Sequence, residues 1–293
     1  MKRFYYGGQA VIEGVMMRGE KAMVTAVRRP NGDMAIQTHP LPTLYTGWAR
    51  KTPLIRGIIV LIEALALGIK SLLYSADISM EEEGEKISGW MAGVTVALSL
   101  VMAVALFFVA PLFLTKLFHF KSSLLFNLVD GLIRVALFVA YLKVVTLMPD
   151  IKRVFAYHGA EHKAVNAYEA GVPLEIEPVK QYSTAHVRCG TSFLFAVLII
   201  SIIVFALVGL HGAWLMALSR VVLIPVIAAL GYEVIRFGGR HSHNKLVMVF
   251  LAPGLWLQSL TTREPDDSQI EIALAALRKV VEIEQPEAVQ AVP

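Results

Sequence analysis

Cysteine and charge are what this chain has least of. A single cysteine, Cys189, excludes an internal disulfide, so cysteine usage says nothing about redox compartment. Charged residues make up 17% of the 293, against about 25% in an ordinary soluble domain. The shortfall is uneven: no Asp, Glu, Lys or Arg falls between Ile87 and Thr115, or between Gly190 and Ser219. Each run exceeds the roughly 20 residues needed to cross a bilayer as a helix. No Lys/Arg run with interleaved aromatics occurs, which argues against nucleic-acid binding, and the net charge of +4 suits loops facing anionic lipid. The start, MKRFYYGGQAVIEGV, has a basic pair but no continuous apolar region, so no signal peptide is read there. Neither GxGxxG nor Gly-Lys-Ser/Thr is present in the glycine-dense stretch Gly7–Gly19, which excludes a phosphate loop; Glu13 and Arg18 within it either pair or line a site.

What is present reads as a mainly α, polytopic membrane protein. About four transmembrane helices are expected, with amphipathic or re-entrant helices and a small β-rich N-terminal cytoplasmic unit. The β-rich unit covers residues 1–53: 22–29 and 33–38 alternate loosely around Pro30-Asn31-Gly32-Asp33, where Asn-Gly suits a two-residue hairpin turn. Residues 54–86 form an amphipathic or membrane helix with Arg56, Glu63 and Lys70 along one face, followed by a short acidic loop. A transmembrane hairpin occupies 87–148, with Asp130 and Arg134 one helical turn apart and turned toward the bundle interior. A polar loop covers 149–190. The second transmembrane hairpin covers 191–260, turning at His211-Gly212 and closing with the short apolar segment 246–260, which contains Pro253-Gly254 and fits a re-entrant or interfacial piece. Residues 261–293 form a cytoplasmic amphipathic helix opening on a capping box at Ser268-Gln269-Ile270-Glu271, then a tail that reads as disordered from Gln285. Lys and Arg concentrate near both ends and in the 149–190 loop, which puts both termini in the cytoplasm.

The loop 149–190 carries the residues with chemistry. On a helix, His158 and His162 stand one turn apart, with Glu161 beside them and Glu169 seven residues on. Two imidazoles at that spacing can grip one metal ion, and His-x-x-Glu-His inverts the zincin order, in which the glutamate is the general base. His186 and Cys189 add His-x-x-Cys at the start of the next span. Four ligands from His158, His162, His186 and Cys189 would close a structural site; three would leave a position for catalysis. The bland alternative is histidines bonded to backbone or headgroups and a small buried cysteine. His241 and His243 form a second pair, in a stretch that reads as a polar loop.

Four blocks resemble a known family: GGQAVIEGVMMRG at 7–19, YHGAEHKAVNAYEAG at 157–171, RCGTSF at 188–193 and PGLWLQSLTTREPDD at 253–267. They identify the chain as a member of the YqhQ-like family of uncharacterised bacterial membrane proteins. That resemblance implies a bacterial inner-membrane location and a metal-dependent enzyme, and places His158, Glu161, His162 and Cys189 inside motif blocks.

The resulting expectation is a membrane-embedded metal-dependent hydrolase, with a peptidase as one form of it, acting at the cytoplasmic face. A divalent metal, zinc by its ligand chemistry, would be the cofactor and Glu161 the base. The rival is a non-enzymatic scaffold or biogenesis factor that docks a protein partner through the C-terminal amphipathic helix. A transporter or channel, suggested by Asp130, Arg134, Arg220 and Glu233 at membrane depth, stands third.

Overall fold

A computed structural model describes residues 6–81, 88–209 and 213–285. The acidic run from Glu82, the His211-Gly212 turn and the tail beyond Gln285 lie outside the described residues. Four strands, β1 (Gly7–Val11), β2 (Gly14–Arg18), β3 (Ala22–Arg28) and β4 (Met34–Pro40), form an antiparallel meander in sequence order. The expected β-rich unit is there, and it includes two strands within the glycine-dense stretch.

The β1–β2 turn is Ile12-Glu13, with Val11 opposite Gly14. Glu13 takes a positive φ of 50°, a conformation hairpin turns of this length demand. The β3–β4 loop is one residue longer than a two-residue turn. Arg29 N–H donates to Asp33 O at 2.8 Å around Pro30-Asn31-Gly32, and Gly32 supplies the positive φ of 90°. Both faces of the sheet are covered. Val15, Met17, Val24 and Ala26 point to one core and Met16, Met23 and Val27 to another, the period of two that a pleated strand imposes. Because β2 and β3 are apolar on both faces, their alternation is faint in the sequence.

The first core is closed by two helices distant in sequence, α5 (Pro149–Ala170) and the C-terminal α11 (Asp267–Glu284). Ile270, Ala273, Leu277 and Val280 of α11 are 0% exposed, so the apolar face that sequence offered to a partner lies on the chain's own sheet. The helix opens two residues earlier than the sequence suggested. Asp266 is the cap: it accepts from Gln269 N–H at 2.9 Å while the Gln269 side chain accepts from Asp266 N–H at 3.0 Å. Partial burial would raise the Asp266 carboxyl, but bonds from the Ser268 hydroxyl and the Gln269 N–H outweigh it and hold it below the usual carboxylate range.

The second core is closed by α1 (Ile55–Ser79). Its Ile59, Glu63, Leu67, Ser71 and Ser75 are buried, and the last two bond to the sheet: Ser71 pairs with Thr25 at 3.2 Å, and Ser75 accepts from Ile12 N–H at 3.2 Å. Of the charged stripe read from sequence, Arg56 and Glu63 are engaged by the protein and Lys70 is exposed. Glu63 binds Arg18 of β2 at 2.8 Å and also Arg50, while Arg56 binds Glu233. Arg18 and Glu13 do not pair with each other, since Glu13 accepts from Arg153 of α5 through both carboxylate oxygens, at 2.6 and 2.5 Å.

The remaining helices are α2 (Gly89–Val104), running through a π turn into α3 (Ala110–Lys116), then α4 (Ser123–Val145), the one-turn α6 (Ile176–Lys180), α7 (Gly190–Val208), α8 (Ala213–Val222), α9 (Ile224–Arg240) and α10 (Lys245–Thr261). Among the described residues three helices are long and apolar enough to cross a membrane, α1, 89–116 and α7. Two bent pairs, α4 with α5 and α8 with α9, bring the number up to five. Their outward apolar side chains, such as Leu98, Leu132, Ile203 and Leu207, are exposed to the surroundings, which suits a lipid environment better than water.

Candidate metal centre

Pro149 at the first position and Asp150 in the first turn favour the start of α5, and Gly171 ends it with φ of 76°. Between them the helix brings His158 and His162 to one face. Their rings stand 4.4 Å apart, centre to centre. Cys189 reaches the same point from the N-cap of α7, where its sulfur accepts from Thr191 N–H at 3.3 Å. One ligand atom each from His158, His162 and Cys189 lies within 4.8 Å of the other two. Tetrahedral bonds of about 2.0–2.3 Å would put such atoms about 3.3–3.6 Å apart, so a small inward movement closes the set.

The two imidazoles are held in the form that ligation needs. His158 Nδ1–H donates to Thr261 O at 2.8 Å, and His162 Nδ1–H donates to Thr184 O at 2.6 Å. A carbonyl can only accept, so each ring carries a proton on Nδ1 and turns Nε2 inward as the nitrogen available for ligation. The Cys189 thiol lies 3.3 Å from His158 Nε2. Glu161 Oε2 lies 3.5 Å from His162 Nε2, and the residue is 4% exposed. Gly8 of β1 makes room for it: a Cβ there would come within 2.9 Å of Glu161 Cγ.

His186 is brought near but not into this group. Its ring centre is 5.6 Å from that of His162, and its Nε2 faces Glu169 Oε2 at 3.7 Å and Arg188 Nη2 at 3.4 Å. Glu169, on the expected face of α5, pairs with Arg188. Burial pushes its carboxyl up, but the His186 hydrogen bond and the Arg188 charge more than cancel this and leave it below the ordinary range. His241 and His243 lie in an exposed loop with ring centres 6.4 Å apart, away from the triplet.

Several residues that sequence did not single out hold the centre in place. Lys163, 3% exposed, donates to Lys180 O and Tyr182 O at 2.7 Å each and pairs with Glu264. Asn166 donates to Ser183 O and Ala185 O. Gln258 of α10 bonds His186 N–H and His186 O and donates to Ser192 Oγ at 2.6 Å. Together they fix the strand of chain that presents the Thr184 carbonyl and Cys189. Gly159 lets the chain leaving α10 pass close to α5, since a Cβ there would sit 2.0 Å from Arg263 O, two residues beyond Thr261. The glycines inside motif blocks were the visible signal. The carbonyl partners left none, because any residue supplies one.

The family described as "Protein of unknown function (DUF1385)" matches residues 52–283. The "Uncharacterized protein YqhQ" of Bacillus subtilis (strain 168) is 36% identical over 297 aligned residues, which cover 95% of this chain and 93% of that protein. No solved structure matches. A match across most of both chains places this chain in the YqhQ-like DUF1385 family.

Proposed function

We propose that this is a four-span membrane protein of the bacterial inner membrane whose cytoplasmic unit holds a divalent metal, zinc by ligand type, for hydrolysis next to the bilayer. The observation that carries the metal reading is the shared convergence of two Nδ1-anchored imidazoles and a thiol. Two nitrogens and one sulfur suit zinc, and three protein ligands are the number that leaves a position free. His158, His162 and Cys189 would hold the ion. When bound there, it supplies Lewis acidity to a substrate carbonyl or water. Glu161, buried beside His162, is placed to take a proton, and Thr184 and Thr261 keep the imidazoles oriented.

Purified full-length protein is expected to carry close to one equivalent of zinc by elemental analysis, and His158→Ala to carry little. No metal in either would end this reading. A specific rival is a Cys189–His158 nucleophile pair at a helix N-terminus, favoured by the 3.3 Å contact and the Thr191 N–H; metal-free protein whose Cys189 is alkylated rapidly would support it.

Parity supports the topology. The sheet, α5 and α11 share one core, so they sit on one side of the membrane. The chain from β4 to α5 then crosses an even number of times. Of its three apolar helices α1 is the one that stays, because its buried face rests on the sheet from Ile59 to Ser75. From α5 to α11 the crossing pair is α7 with α8–α9. Helix α10 runs along the boundary: Gly254 packs on Ser192 near the start of α7, and Thr261 ends at His158. Alkaline phosphatase fused after His119 should be active in the periplasm, and fused after Met80 inactive. An active Met80 fusion would mean that α1 crosses.

A further inference from the structure

Far from the metal centre, five polar side chains meet inside the bundle. Arg134 of α4 donates to Asp130 Oδ2 and to Ser201 Oγ of α7, both at 2.6 Å. Arg220 of α8 donates to Asn127 Oδ1 at 3.0 Å and to the same Asp130 oxygen at 3.5 Å. All five are no more than 1% exposed. Ser201 lies 11 residues after Gly190 and 7 before Val208 in α7, which at 1.5 Å per residue is about 16 Å and about 10 Å from the ends. The group therefore sits near mid-bilayer in the four-span arrangement, on which this inference rests.

Charge does not balance here. A guanidinium in a protein keeps its proton, so two arginines against one carboxylate leave one positive charge. No other acidic group among the described residues comes within salt-bridge distance of either arginine. Both guanidinium groups lie over the Phe205 ring, at 5.1 and 3.8 Å from its centre, and Arg134 also faces Phe108 at 5.3 Å. Ring faces attract cations but carry no net charge. Arg134 Nε and Arg220 Nε are buried without a hydrogen-bond partner, as is the second oxygen of Asp130, Oδ1, so the cluster holds two unused donors against one unused acceptor. Two unused N–H donors beside an excess cation, in the medium where an uncompensated charge is most costly, define a place for a negative charge.

We propose that the Arg134–Arg220 cluster binds one small inorganic anion, chloride in the cell, between the free Nε–H groups. Burial decides the class of ligand, since side chains no more than 1% exposed are closed to a lipid headgroup and leave only a small ion to be considered. The anion neutralises the cluster and ties α4, α7 and α8 together at mid-depth.

The experiment is thermal unfolding of the full chain in nanodiscs, with chloride replaced by gluconate at constant ionic strength. Binding to the folded state alone raises the melting temperature with ligand concentration, so several degrees are expected between chloride-free and 0.5 M chloride (on the order of 100-fold above a millimolar Kd). Arg220→Gln, which leaves the cluster neutral, should melt at the same temperature in both salts. A flat wild-type profile, or a chloride dependence that survives in Arg220→Gln, overturns the site. If Arg220→Gln does not fold, equilibrium binding of radioactive chloride to wild type decides: about one saturable site supports the proposal, and no saturable binding rejects it. The outcome is independent of metal content, so failure here leaves the metal reading standing, and the reverse.

Discussion

Asp130→Ala is expected to destabilise the protein by about 3–5 kcal/mol, the range for removing one partner of a buried ion pair. Asp130 is the shared acceptor of Arg134 and Arg220, and its side chain is 1% exposed. Alanine leaves two guanidinium groups facing each other in a place water does not reach. The stabilisation in wild type is not the attraction between the charges alone, because taking them out of water opposes it by a similar amount. The contrast to measure is therefore with the whole set replaced. A triple variant carrying Leu at 130 and Met at 134 and 220 keeps the volume apolar and should recover most of the loss. Folded fraction and melting temperature in detergent would report both. An Asp130→Ala protein as stable as wild type would show that the arginines find another neutralising group.

Cys189→Ser is expected to empty the proposed metal centre, whereas His186→Ala should leave it filled. Sulfur is the ligand contributed by α7, and serine's neutral hydroxyl is a poor substitute for a thiolate at zinc. The loss should exceed the roughly 10–100-fold that changes in supporting residues bring to metal affinity. His186 is such a supporting residue: it lies against Glu169 and Arg188, outside the triplet. Competition with a chromogenic chelator gives both affinities. The three-ligand assignment fails if His186→Ala loses metal as completely as Cys189→Ser, since that would require four ligands.

The elements legible in the sequence were those set by short-range pattern. The uncharged runs gave the long apolar helices, because length and apolarity are properties of a contiguous segment. That His158, Glu161 and His162 stand close together on α5 follows from spacing, because a helix fixes which residues neighbour one another regardless of what surrounds it. The Asp130–Arg134 pair follows from the same spacing. The hairpin at Asn31-Gly32 was visible through its glycine, though its loop length was not. Strand β2 was hidden, because covering a sheet on both sides removes the polar half of the alternation, and β1 because it opens on two glycines, which carry no side chain to alternate.

By itself the sequence determined a chain with apolar helices, a small sheet at one end and a histidine pair on one face of a helix. Which distant groups meet was decided only by tertiary structure. Residue type says that Cys189 can ligate, but only packing brings the N-terminus of α7 up to α5, where the sulfur lies 3.3 Å from His158. Residue type says that Glu63 is charged, but only the sheet lying on α1 turns it from a solvated stripe into a buried partner of Arg18 and Arg50. The physical reason is range. Periodicity acts over one or two helical turns, while the contacts that join residues 8, 161, 189 and 261 depend on how whole faces pack.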